Sequence, residues 1–188
     1  MDALVRSFVR KVNVVAKSEP SKLASAESVH HLLSLLHPRA DKDVLITALT
    51  SLHSAAKQNP KLLHTHPDTV HALLGMARKS AEYRSLVSKL VDDIDSCEIL
   101  ETCESDDSVF EFVELLVALV SESIHILHLH GVLTKLMCDA RTTLIVCTAR
   151  GIGLLKPLLE CTDSALNSMD RLLILNMATN LILTREGA

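Results

Sequence analysis

DKDVLITALTSLHSAAKQNP, residues 41–60, contains the pattern that decides the fold of this chain. Its apolar side chains recur three and four residues apart, as on one face of an α-helix. They are Val44, Leu45, Ala48, Leu49, Leu52, Ala55 and Ala56. Asp41 is a good N-cap, because its carboxylate can accept hydrogen bonds from unpaired backbone N–H groups, and Asn59-Pro60 ends the pattern. We therefore predict an amphipathic helix between Asp41 and Asn59.

The same periodicity covers most of the 188 residues. One helix is expected to begin at the N-cap Ser25 and to end before Pro38, and another is expected to begin at the cap Asp68. Further helical patterns cover 83–94, 96–103, 107–123, 131–137, 140–150, 151–160 and 168–183. Trp is absent, and Gly and Pro number only five each, which leaves few residues for the turns of a β fold. The sequence therefore predicts an all-α protein with a core of Leu, Val, Ile and Ala.

The first 24 residues are interpreted as an N-terminal capping helix and a linker. An apolar stripe runs along this segment, with Arg and Lys on its other faces. The stripe consists of Leu4, Val5, Phe8, Val9, Val12 and Val15. A transit-like or lipid-surface helix is the alternative, because such segments are also amphipathic, basic and poor in acids. Asp2 and the lack of a Ser-rich continuation count against targeting.

A short apolar-x-x-apolar-apolar motif recurs along the chain. It begins at Val29, Val70, Phe112 and Leu155, at intervals of 41, 42 and 43 residues. These intervals fall within the range of about 40–47 residues that is typical of HEAT and armadillo repeats. The motif therefore indicates repeated units of two or three helices.

The segment GIGLLKPLLECTDSALNSMDRLLILNMATNLILTREGA, residues 151–188, resembles an armadillo repeat. A Gly-led middle helix is followed by a polar loop and a long third helix that ends in ATNL, and residues 28–56 show the same pattern with ALTSL. The resemblance implies a right-handed α-solenoid of about four to five degenerate armadillo/HEAT-like repeats, forming a single domain over residues 1–188. Residues 185–188 resemble the start of a further repeat, so a truncated array is expected.

In armadillo arrays, an asparagine near the end of each third helix lines a concave groove and binds the backbone of an extended peptide. The resemblance carries this role to Asn180 alone, within ATNL. Ser51 takes the corresponding place in the first unit, and Lys89 or Ala118 takes it in the middle units. With the asparagine ladder interrupted, we expect the groove to bind a partner, such as a folded domain, through shape and charge.

The charge distribution has one marked feature in the middle of the chain. No Lys or Arg lies between Lys89 and Lys135, whereas eleven Asp and Glu residues lie there. Those taken as partner-binding candidates are Glu98, Glu101, Glu104, Asp106 and Asp107. They form either a solvated face with acidic N-caps or a negative patch that steers a partner with a basic surface. The net charge of −4 and the scarcity of aromatic residues argue against binding of nucleic acid.

Two His-x-His motifs were considered as halves of a metal site. LHTHP, residues 63–67, and LHLHG, residues 127–131, each end in a helix breaker. We interpret both as joints between a short first helix and a middle helix, where Leu63 and Leu127 pack and a histidine caps the preceding helix end. Most histidines are expected at helix ends and on the surface.

The remaining candidates for chemistry are weak. No HExxH or CxxC motif occurs, and no cofactor, metal or catalytic residue is predicted. His125, His128 and Cys138 leave a metal site as an open alternative. Cys147 and Cys161 lie on apolar stripes and are interpreted as core residues rather than nucleophiles.

The sequence therefore predicts a non-catalytic protein–protein interaction scaffold or adaptor. No apolar run is long enough to span a membrane, and a cytoplasmic location is expected, with a nuclear one also open. One alternative is an assembly chaperone of a large complex such as the proteasome base, whose HEAT/armadillo chaperone resembles DSVFEFVELLVALVSES followed by HGVLTKLM. The other is a metal-binding or enzymatic helical protein that uses the histidines.

Overall fold

The computed structural model describes residues 3–64, 66–119, 131–132, 153, 171–172 and 175. Over this part of the chain every regular element is helical, and the all-α prediction is confirmed for it. The α-helices are α1 (Ala3–Ser18), α2 (Ala26–Ser34), α3 (Lys42–Gln58), α4 (Lys61–His64), α5 (Thr69–Lys79), α6 (Ala81–Val91), α7 (Ser96–Thr102) and α8 (Asp106–Leu119). A short 3-10 helix, Pro20–Lys22, follows α1.

Four helices begin at side-chain caps; in one of them, α8, Ser105 Oγ accepts a hydrogen bond from the Ser108 N–H at 3.1 Å. Ser25 Oγ accepts a hydrogen bond from the Ser28 N–H at 3.2 Å, and Asp41 Oδ1 accepts one from the Asp43 N–H at 3.0 Å, as predicted. Ser80 Oγ does the same for the Tyr83 N–H at the start of α6. Asp68 occupies the N-cap position of α5, but its carboxylate forms no capping bond. Its φ and ψ of −85° and −3° are helical, whereas a capping side chain needs extended backbone, so this predicted cap does not form.

Helix α3 lies at the centre of the first half of the chain. All seven residues of its predicted apolar stripe are buried, and Leu45, Ala48, Leu49 and Leu52 are 0% exposed. The helix contacts α1, α2, α4 and α6. Because it has neighbours on several sides, the polar side chains of Thr47 and Ser51 are also buried.

The chain divides into two compact units, Met1–Asp95 and Ser96–Ala188. In the first unit α1 packs against α3, α3 packs against α6, and α2 and α5 pair with α3 and α6 respectively. In the second unit α8 is buried over most of its circumference, through Val109, Phe110, Phe112, Val113, Leu115, Leu116 and Leu119. A single repeat domain over residues 1–188 stays a prediction, and residues 185–188 lie outside the described part of the chain.

Helix α1 covers one side of α3. The predicted stripe residues Val5, Phe8, Val9, Val12 and Val15 are all half-buried, and the side chain of Leu4 is outside the described set. Val14, on the opposite face, is 57% exposed. None of the described helices is both long and apolar enough to cross a membrane.

Candidate interaction surface

Two polar pairs join α3 to α6. Lys42 Nζ lies 2.7 Å from Glu82 Oε2 near the start of both helices, and His53 Nε2, in the last third of α3, lies 2.8 Å from Asp93 Oδ2, two residues beyond the end of α6. Each pair joins residues 40 positions apart. Because start meets start and end meets end, α3 and α6 run parallel and in constant register. This offset is close to the motif intervals found in the sequence.

None of the sequence motifs described above points to these four residues. Each pair is made of residues of opposite charge, or of a histidine and a carboxylate, at the repeat interval. A search for such pairs at about 40 residues, the shortest armadillo or HEAT interval, would have found both. Surface ion pairs generally add little stability. We therefore regard the Lys42–Glu82 pair, whose side chains are more than half exposed, as a marker of register.

His53 lies at the most complex electrostatic position of this surface. Burial lowers the pKa of His53, nearby Lys57 lowers it further, and Asp93 acts in the opposite direction. Lys89 on α6 also lowers this pKa. The ring is therefore favoured in its neutral form, with its Nε2 lying 2.8 Å from Asp93 Oδ2.

A histidine oriented by an aspartate also occurs in hydrolytic triads, where a nucleophilic third group completes the site. The predicted nucleophile candidates, Cys147 and Cys161, lie outside the described residues. His53, Lys57, Lys89 and Asp93 together place two cations, a neutral ring and an anion at the ends of α3 and α6.

The residues that were assigned to the groove by resemblance fall in different environments. Ser51 is 1% exposed, and a hydroxyl with that burial does not reach a partner in this structure. Lys89 is exposed and close enough to influence His53. Ala118 is half-buried on α8. Asn180 lies outside the described residues.

The five acidic candidates, Glu98, Glu101, Glu104, Asp106 and Asp107, are all exposed. Three of them lie in the first turn of a helix, Glu98 in α7 and Asp106 and Asp107 in α8. Negative charge there interacts favourably with the helix dipole, so these three have a structural explanation.

Glu101 has no such explanation, because it lies in the last turn of α7, whereas Glu104 immediately precedes Ser105, whose side chain caps the start of α8. A helix C-terminus disfavours negative charge. From Ser96 to Leu119 the sequence contains no Lys, Arg or His. The helix dipole therefore accounts for the positions of four of the five acidic candidates, and Glu101 is the exception.

The LHTHP joint brings histidines of distant segments together. Leu63 is 1% exposed, so its predicted packing role is confirmed, but His64 is also buried, where a surface position was expected. His66 Nε2 lies 2.9 Å from Nδ1 of His30, which is on α2. In the second motif, LHLHG, only Gly131 is described, and it is helical.

Metal and thiol chemistry find little support in the described residues. No group of three or more His, Cys, Asp or Glu side chains there could hold a metal ion. His125, His128 and Cys138, the metal alternative, lie outside the part that is described. Cys97 and Cys103 are free thiols. Burial raises the pKa of Cys103, which lowers its thiolate fraction and hence its reactivity.

No protein-family model, curated protein or solved structure matches this chain. The likeness to armadillo and HEAT repeats therefore depends on the sequence motifs alone. Function has to be argued from the residues and contacts described above.

Proposed function

We propose that this protein is a non-catalytic scaffold or adaptor that binds another protein through the surface of a right-handed armadillo/HEAT-like α-solenoid. The observation that carries the proposal is the parallel, in-register packing of α3 on α6, held at one offset by the Lys42–Glu82 and His53–Asp93 pairs. In a solenoid, equivalent helices of successive repeats stack in this way.

The order of helix contacts gives further support. Helix α1 contacts α3, and α3 contacts α6, so helices from three successive stretches of the chain lie side by side. Stacked repeats of this kind create an extended surface rather than a closed pocket. A surface of that type binds partners and has no need of a reaction or a cofactor.

The exposed acids give the proposed surface a preference among partners. A cluster of exposed negative charges speeds association with a positively charged surface and slows association with a negative one. Glu101 is the acidic candidate whose position the helix dipole does not explain, and the exposed Glu104 lies three residues further along the chain. The expected partner is a protein with a basic surface, met in the cytoplasm.

Affinity capture with charge-reversed variants tests the proposal. The variant E101K/E104K replaces two exposed acids of this segment with cations. E27K is the control, because Glu27 is 87% exposed on α2 and lies outside the acidic segment. Circular dichroism must first show that all three proteins fold and melt alike.

We expect E101K/E104K to lose partners that the wild type and E27K retain, with the loss reproduced in the wild type by about 0.5 M salt, where screening is short-ranged. Identical captured proteins from all three samples would refute a binding role for these charges. Recovery of proteasomal ATPase subunits would point to the chaperone alternative.

A further inference from the structure

The contact between His30 and His66 has the geometry of a hydrogen bond. The nitrogens lie 2.9 Å apart and the ring centroids 5.2 Å apart. The two distances differ by about two ring radii, so both nitrogens lie close to the line that joins the ring centroids. Two ligands of one metal ion would instead converge on a point to the side of the line between them.

The neighbouring backbone decides which nitrogen carries the hydrogen. The Asp68 N–H donates to His66 Nδ1 at 3.3 Å, so that nitrogen must hold a lone pair. In the neutral ring the hydrogen is then on Nε2, which donates to His30 Nδ1. The chain of bonds runs from Asp68 through His66 to His30, and it is complete only while both rings are neutral.

Protonation breaks this chain. A hydrogen on His30 Nδ1 would oppose the one on His66 Nε2, and a hydrogen on His66 Nδ1 would oppose the Asp68 N–H. With both rings charged, two cations would stand 2.9 Å apart. Histidine is the side chain whose charge ordinarily changes between pH 5 and 8.

Among the described residues, the titratable groups around the pair include the carboxylates of Glu27 and Asp68 and two further histidines. On α2, the His31 ring lies 5.9 Å from the His30 ring, and Glu27 Oε1 lies 3.9 Å from His31 Nε2. On the other side are the buried His64 and the carboxylate of Asp68. Helix α3 packs on α2, whose buried residues are Val29, Leu32 and Leu33. Lys42, at the start of α3, pairs with Glu82, and His53, within α3, pairs with Asp93; Lys57 lies near His53.

We propose that His30 and His66 form a proton-sensitive clasp that fastens α2 to the α4–α5 joint at neutral pH and releases it in mild acid. The clasp joins segments 36 residues apart, so its release loosens contact between successive helical pairs while the helices themselves persist. The proposal is independent of any binding role for the acidic residues.

Hydrogen exchange measured by mass spectrometry tests the clasp, with rates corrected for the intrinsic effect of pH and with EDTA present to remove trace metal. The segments to follow are 26–36 and 61–68, with 42–58 as an internal reference. On going from pH 7.5 to pH 5.5, we expect exchange in the first two segments to rise about fivefold relative to the reference, which corresponds to the loss of one ordinary hydrogen bond.

Two variants separate the clasp from a general effect of acid. H30N/H66Q retains a donor at the Nε2 position of His66 and an acceptor at the Nδ1 position of His30, but neither group titrates. It should keep the neutral-pH protection and lose the acid response. H71Q removes an exposed histidine elsewhere on α5 and should respond as the wild type does. If H30N/H66Q opens in acid as much as the wild type, the clasp is refuted.

A double-mutant cycle of H30A, H66A and the double variant gives a second readout. At pH 7.5 each single variant should raise the exchange rate by some factor. The product of these two factors should exceed the factor measured for the double variant, because both substitutions remove the same bond. At pH 5.5, where the bond is already broken, the factor for the double variant should equal the product of the two single-variant factors. If the two single-variant factors multiply at both pH 7.5 and pH 5.5, the proposal is overturned.

Discussion

Truncation of one side chain in α3 tests the central position of that helix. Leu49 is 0% exposed, and α3 contacts four other helices. The change Leu49→Ala removes the equivalent of three methylene groups, which accounts for about 2.4 kcal/mol of lost transfer free energy. The remaining cavity adds to this, and such variants typically lose about 3 to 4 kcal/mol in total. We expect a loss of that size in the free energy of unfolding.

Urea unfolding followed by circular dichroism measures the effect. With a slope of about 2 kcal/mol per molar urea, the midpoint should fall by about 2 M. The matched control is Leu172→Ala, which removes the same atoms from a side chain that is 51% exposed. It should cost less than about 0.5 kcal/mol. Equal losses for the two variants would show that α3 is not at the centre of a packed core.

Two further predictions concern caps and protonation. Ser25→Ala removes the bond to the Ser28 N–H and should cost about 1 kcal/mol in urea unfolding, whereas Asp68→Ala, which loses no cap, should be nearly neutral. A larger cost for Asp68→Ala would contradict this. Because the pKa of His53 is lowered on folding, the unfolded chain takes up the proton first, so stability should fall as pH drops below about 6.5. The decline should end once the folded protein is protonated too, and His53→Gln should reduce it; an unchanged pH profile would contradict that assignment.

Local features of the fold followed directly from the sequence. The caps Ser25 and Asp41 form as expected, and the apolar stripe of α3 is buried throughout. These features depend on neighbours within one helix, whose geometry the spacing of residues determines. Asp68 is the exception, because a cap also depends on backbone angles that the following joint imposes.

The environment of Ser51 was harder to predict. The resemblance placed it on a partner-binding groove. In the structure α3 has neighbours on several sides, so even positions off its apolar stripe are enclosed. A small hydroxyl side chain tolerates such burial, and its identity therefore gives little information about exposure.

Contacts between helices were largely missed. The His53–Asp93 and His30–His66 contacts depend on how far one helix is shifted along another and on how each is rotated. Periodicity along a single helix specifies neither quantity. The motif intervals of 41 to 43 residues came near the shift of α6 on α3, but not near the 36-residue separation of the two histidines.

The Lys42–Glu82 and His53–Asp93 pairs both join residues 40 positions apart. This equal spacing restricts how the length of the chain can change during evolution. One residue inserted within α6, between Glu82 and Lys89, would swing everything beyond it by about 100° around the helix axis and carry Asp93 away from His53. The same insertion in segment 65–68 would shift Glu82 and Asp93 together, so their positions relative to each other would not change. Length variants that survive selection should accordingly cluster in the connectors, and artificial lengthening of the protein should proceed by whole cassettes of 40 residues.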